Sequence, residues 1–124
     1  MVILLADDEK FARICLEQSI LDSVENPLEF LYAKNGREAI EILRQDHPPD
    51  YAFIDYKMPY FNGIEVLQAI YPINKETRCA LVSGYDLSDK ISHSLNVKIE
   101  GLFEKPVTKE DLKAFFTKIA GDKK

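Results

Sequence analysis

The sequence predicts an α/β fold: a doubly wound, five-stranded parallel sheet with helices on both faces. Three observations predict it. Short apolar runs alternate five times with segments of helical periodicity. The first run is continuously apolar, as expected of a parallel strand covered on both faces. No repeat, low-complexity tract or internal linker interrupts the 124 residues, a length typical of one domain. Such alternation implies a parallel sheet, and right-handed crossovers leave few ways to connect it.

The elements follow in order. Val2 to Ala6 reads as the first strand, and Phe11, Ile14, Cys15 and Leu21 recur at helical spacing behind it. Pro27 interrupts, and Leu28 to Ala33 reads as a second strand. Asn35-Gly36 opens a helix carrying Ala39, Ile40 and Leu43, and Pro48-Pro49 closes it. Tyr51 to Ile54 is the third strand. Gly63 to Ile70 is helical, with Val66, Leu67 and Ile70 on one face and Pro72 at its end. Cys79 to Val82 is the fourth strand, and Leu87, Ile91 and Leu95 mark a weak, polar helix. Gly101 to Phe103 is a short fifth strand. The last helix is the clearest, with Leu112, Phe115, Phe116 and Ile119 at i, i+3, i+4, i+7 and a capping-box pair in Thr108 and Asp111.

Composition excludes several classes. Apolar residues make up 46% and charged residues 30%, an ordinary balance for a soluble domain with its own core. No apolar run is long enough to span a bilayer, and Asp7, Asp8, Glu9 and Lys10 follow too soon for a signal peptide, so the cytoplasm is the expected compartment. The net charge of −5 argues against direct nucleic-acid binding, which needs a basic face. Cys15 and Cys79 form neither a disulfide framework nor a zinc spacing, and both are expected as buried free thiols. His47 and His93 have no partner at metal-ligand spacing and read as solvated histidines.

In parallel sheets of this kind, ligands bind beyond the carboxyl ends of the strands. Asp7, Asp8 and Glu9 follow the first run, Asp55 the third, Ser83-Gly84 the fourth, and Lys105-Pro106 the fifth. Taken singly, each has an ordinary explanation as a helix cap, a turn residue or a solvated lysine. Their joint occurrence is less ordinary. Parallel strands would bring three aspartates, a hydroxyl and an ammonium to one edge. Clustered carboxylates repel unless a cation joins them, and an all-oxygen site favours Mg²⁺. Asp55 could then attack phosphorus as a covalent nucleophile, while Lys105 offsets the incoming negative charge. Ser83 could donate to a phosphoryl oxygen, and Gly84 has no side chain to block the approach.

These residues in this order resemble the receiver domain of two-component response regulators. The matching segments are Leu4-Leu5-Ala6-Asp7-Asp8-Glu9, then Asp55 with Met58-Pro59 and Gly63, then Ser83-Gly84, then Lys105-Pro106. The resemblance runs from Val2 to Ile119, so residues 1–124 read as one receiver domain with no output domain among them. It implies a flavodoxin-like, three-layer (βα)5 sandwich with strand order 2-1-3-4-5. It implies that Asp8, Asp55 and the backbone carbonyl of Lys57 ligate Mg²⁺, with Asp7 acting mainly through metal-bound water. Asp55 would be phosphorylated by a sensor histidine kinase or a histidine phosphotransfer protein. Ser83 would shift toward the phosphoryl group and Lys105 would hold it. The state of the site would be read on the face of the fourth helix, fifth strand and fifth helix, a possible homodimer surface. Such a domain catalyses only its own phosphorylation and dephosphorylation.

Two positions depart from the family pattern. The aromatic switch residue usual three places before the lysine is here Leu102, with Phe103 one place along and so on the opposite face of a strand. Tyr85, two after Ser83, is a candidate substitute. Lys57 lies where its side chain could cover the site mouth and tune the phosphoryl lifetime; an unchanged lifetime in Lys57→Ala would count against that role. Three other functions share parts of this pattern. A degenerate, unphosphorylated module would not bind beryllofluoride with Mg²⁺. An aspartyl-nucleophile phosphohydrolase would carry Asp-x-Asp after its first strand and a cap domain. A flavodoxin-like cofactor site would need a phosphate cradle where Asp7-Asp8-Glu9 would repel one.

Overall fold

In the computed structural model, which describes residues 1–92 and 98–122, five strand–helix pairs follow one another. They are β1 (Val2–Ala6), α1 (Lys10–Leu21), β2 (Glu29–Ala33), α2 (Gly36–Leu43), β3 (Tyr51–Asp55), α3 (Gly63–Ile70), β4 (Arg78–Ser83), α4 (Ser88–Ser92), β5 (Gly101–Glu104) and α5 (Lys109–Asp122). All strand pairs are parallel and the sheet order is 2-1-3-4-5. The order reverses at β1, which lies between β2 and β3, so the carboxyl ends of β1 and β3 flank the switch point where such sheets bind ligands.

Strand pleat sorts the core into two layers, because successive side chains point to opposite faces. Leu4, Ala6, Ala52, Ile54, Cys79 and Leu81 pack with Ala39 and Leu43 of α2 and Val66, Leu67 and Ile70 of α3. Their neighbours Ile3, Leu5, Tyr51, Phe53, Ala80 and Val82 face the other way, onto Ile20 of α1 and Leu112, Phe115 and Ile119 of α5. Full burial of each large apolar side chain contributes roughly 1.5–3 kcal/mol. Aromatic rings lock the second layer. Phe53 and Phe115 meet edge-on at 5.6 Å, and Phe103 and Phe115 at 5.5 Å. Phe103 is buried and Leu102 is 40% exposed, so the two do lie on opposite faces of β5.

The helix starts are well specified. Asn62 and Glu65 close a reciprocal capping box on α3, and Thr108 accepts from the backbone N–H of Asp111 on α5. Gly63 is required by a close approach: a Cβ there would lie 2.9 Å from the Asp55 carbonyl oxygen and 2.8 Å from Leu81.

The first helix corrects the sequence reading. Phe11, Ile14 and Leu21 are exposed, at 77%, 53% and 45%, and Cys15 is exposed rather than buried. The stripe facing the sheet is Leu16 and Ile20, one turn apart. Cys79 is buried as expected, and burial pushes its thiol up to about 12. Leu87 is fully buried just ahead of α4, whereas Leu95 and His93 lie outside the described residues.

Tyr60, in the β3–α3 turn, has φ 73°, a left-handed conformation that favours Gly or Asn. The residue is 71% exposed, with the Arg37 guanidinium 6.0 Å from its ring centroid, so little packing offsets the strain. Tyr60→Asn is expected to raise stability by roughly 0.5–1 kcal/mol, read as a rise of about 2–5 °C in thermal unfolding.

Candidate phosphoryl and metal site

Strand parity explains how the site assembles. Asp7 continues the Ile3–Leu5 series, Asp55 the Tyr51–Phe53 series, and Lys105 follows Phe103 by two, so all three arrive on the α1/α5 side of the sheet edge. Ser83 continues the Cys79–Leu81 series and approaches from the α3 side. Asp7, Asp55 and Ser83 are the buried polar residues of the described chain.

Carboxylate oxygens of Asp7, Asp8 and Asp55 lie within 4.8 Å of one another. An octahedral Mg²⁺ with bonds near 2.1 Å holds its oxygens about 3–4 Å apart, so a small inward movement would suit it. The donor set is oxygen alone, which fits a hard cation and not zinc. Lys105 Nζ lies 3.1 Å from Asp7 Oδ2 and 3.4 Å from Asp55 Oδ1, bridging two buried acids. The Lys105–Pro106 peptide bond is cis, and the Lys105 backbone N–H donates to the Ser83 carbonyl at 2.7 Å. The Ser83 Oγ accepts from the Tyr85 backbone N–H at 3.2 Å. A Cβ on Gly84 would meet nothing within 4 Å, so that flank is open. Lys57, two residues beyond Asp55, has an exposed side chain.

The sequence reading missed Arg13. Its guanidinium Nη1 donates to the Asp7 carbonyl at 2.6 Å and ties α1 to the loop that carries two of the acids. A basic residue one turn into the helix behind an acidic loop was the available signal. Beside it, a largely apolar cavity of about 420 Å³ runs between α1 and the segment after β5, lined by Arg13, Leu16, Phe53, Lys105 and Val107.

Asp55 is pushed up to about 6, by burial first and the Asp7 carboxylate next, while Lys105 pulls it back. Burial alone would lower Lys105, but Asp7 and Asp55 outweigh it and leave its ammonium raised. A stability consequence follows for the metal-free protein. Near pH 3 and below, Asp55 is protonated in both folded and unfolded chains. Between about pH 4 and 6 the unfolded chain releases this proton and the folded chain keeps it, so stability falls as pH rises. Above that window the loss is complete. In chelator-containing buffer, the urea stability of Asp55→Asn relative to the parent should therefore grow from pH 4 to pH 7, reaching on the order of 2 kcal/mol. A pH-independent difference would show that Asp55 is not held in this repulsive setting.

Residues 3–117 match the model of the response regulator receiver domain. The chain is 27% identical over 111 residues to sporulation initiation phosphotransferase F of Bacillus subtilis, covering 90% of this chain and 86% of that one. It is 27% identical over 117 residues to a cyclic di-GMP phosphodiesterase of Thermotoga maritima, covering 94% of this chain but only 30% of that protein. Among solved structures, a CheY-like receiver domain protein from Methanospirillum hungatei superposes with a TM-score of 0.81 at 21% identity, over 98% of this chain and 94% of that one. With sheet order, strand-end chemistry and family match in agreement, the chain belongs to the response regulator receiver domain family.

Proposed function

We propose that this receiver domain accepts a phosphoryl group on Asp55 from a phosphohistidine, presented by a sensor histidine kinase or a histidine phosphotransfer protein. The observation that carries the reading is the gathering of Asp7, Asp8 and Asp55 within 4.8 Å, with the Lys105 ammonium 3.4 Å from Asp55. Receiver domains are signalling domains that bind Mg²⁺ at an acidic pocket and act with histidine kinases or phosphotransfer proteins. Here Asp8, Asp55 and the Lys57 backbone carbonyl would hold the ion, with Asp7 acting through its water. Bound Mg²⁺ supplies the positive charge that lets an anionic phosphoryl group approach a cluster of acids.

The residues divide the chemistry. An Asp55 oxygen bonds to phosphorus as the phosphorus–nitrogen bond breaks, and the electron pair leaves with the imidazole. Lys105 is already paired with Asp55 and pairs next with the phosphoryl oxygens. Ser83 keeps its O–H for a phosphoryl oxygen while its lone pair accepts from Tyr85. The domain thus catalyses its own phosphorylation and dephosphorylation. Signal output through α4, β5 and α5, with a homodimer on that face, is supported by the exposure of Leu102 on β5. A cytoplasmic setting fits, as no described helix is long and apolar enough to cross a membrane. The test is incubation with acetyl phosphate: a gain of one hydroxylamine-labile phosphoryl group, dependent on Mg²⁺, is expected. No gain in mass with Mg²⁺ present would sink the reading.

A further inference from the structure

We infer that Tyr56 and Tyr85 form an aromatic relay that carries the state of Ser83 to α4, in place of the aromatic that β5 lacks at Leu102. The inference rests on the phosphoryl-acceptor reading of Asp55.

Three links are in contact. The Ser83 Oγ accepts from the Tyr85 backbone N–H at 3.2 Å, at the long end for such a bond. The Tyr85 ring meets the Tyr56 ring edge-to-face, with centroids 6.1 Å apart and planes at 83°. The ammonium of Lys90, on α4, lies 5.7 Å from the centroid of the same Tyr56 ring. Tyr56, the last ring before α4, directly follows Asp55 in the chain.

The two rings differ in freedom, and that difference makes the pair directional. Tyr56 is pinned at both backbone groups. Its N–H donates to Val82 and its carbonyl accepts from Gly63, each at 2.8 Å. Its ring is half-buried against the core. Tyr85 is 48% exposed, and Gly84 beside it has open space around its Cα. When Ser83 moves toward a phosphoryl group on Asp55, the already long bond either draws the Tyr85 backbone along or breaks. Tyr56 cannot follow, so the edge-to-face contact changes and α4 loses or gains its bearing on Tyr56. The buried face of β5 offers no substitute route, since Phe103 is held in the aromatic layer against Phe53 and Phe115.

The full chain labelled with 3-fluorotyrosine tests this. It has six tyrosines, whose fluorine resonances can be assigned by single Tyr→Phe variants, and beryllofluoride with Mg²⁺ gives its own bound resonance. On occupancy, Tyr56 and Tyr85 are expected to shift together. Tyr51 and Tyr71, at the far ends of β3 and α3, stay in place. In Tyr85→Leu, at a half-exposed position, the Tyr56 shift should fall by about half or more at equal occupancy, because Tyr56 lies downstream of Tyr85. Bound beryllofluoride with an unmoved Tyr85, or an undiminished Tyr56 shift in a folded Tyr85→Leu protein, overturns the relay and leaves the acceptor reading intact. Absence of any bound resonance overturns the acceptor reading and the relay with it.

Discussion

Asp55→Asn, incubated with acetyl phosphate and Mg²⁺, is expected to carry no acyl phosphate. The substitution keeps the shape of the side chain and removes the nucleophile, since an amide oxygen or nitrogen does not attack phosphorus at useful rates. The surroundings should survive it. Lys105 retains its 3.1 Å partner in Asp7, and the substitution removes a carboxylate that burial, and next the Asp7 charge, push up to about 6. Lost labelling in a protein at least as stable as the parent separates a chemical role from a folding defect. Mass spectrometry of intact protein, with hydroxylamine to strip acyl phosphate, makes the measurement. Labelling that persists in this variant would move the acceptor to Asp7 or Asp8, the carboxylates clustered with Asp55.

Why this site could be read from the sequence is a matter of topology. In a parallel α/β sheet every strand ends at the same edge, so a residue's place just after an apolar run fixes its neighbourhood before any contact is known. Asp7, Asp55, Ser83 and Lys105 were found that way. The pleat explains more than the reading used: odd-numbered partners at 3, 5 and 7 and at 51, 53 and 55 already place Asp7 and Asp55 on one side. The capping pair at Thr108 and Asp111 is local and was equally visible, whereas the box at Asn62 and Glu65 was not read although it has the same spacing.

What failed to show has physical causes. On α1 two stripes share helical spacing, Phe11-Ile14-Cys15 and Leu16-Ile20. The angle at which the chain leaves β1 decides which one meets the sheet, and that angle is tertiary. The reading took the first stripe and its apolar surroundings as the core face, so it buried Cys15 wrongly. A left-handed Tyr60 cannot be read from a residue type that avoids that region; it is held there by the turn around Pro59 and Phe61. The Tyr56–Tyr85 contact joins two loops 29 positions apart in the sequence, and only the fold brings them together.

Asp8→Ala is expected to weaken Mg²⁺ affinity by at least about 10–100-fold, a loss that even outer-shell changes at metal sites produce. The structure singles out Asp8 because the three acids are not equally occupied. Asp7 accepts from the Glu9 backbone N–H through Oδ1 and from Lys105 through Oδ2, and Asp55 is paired with Lys105. Asp8 is exposed, and no described residue hydrogen-bonds to its carboxylate. Its removal therefore breaks no structural bond. It also removes a negative charge that helps hold Asp55 protonated, so the metal-free variant should unfold at equal or slightly higher urea concentration. The two effects have opposite signs, which a general loss of structure cannot mimic. Because the chain has no tryptophan, tyrosine emission is one readout for a Mg²⁺ titration, with calorimetry as a check. Unchanged affinity would remove Asp8 from the ligand set. The ion would then rest on Asp55, Asp7 and the Lys57 carbonyl, and the exposed Asp8 would act on the site only through its charge.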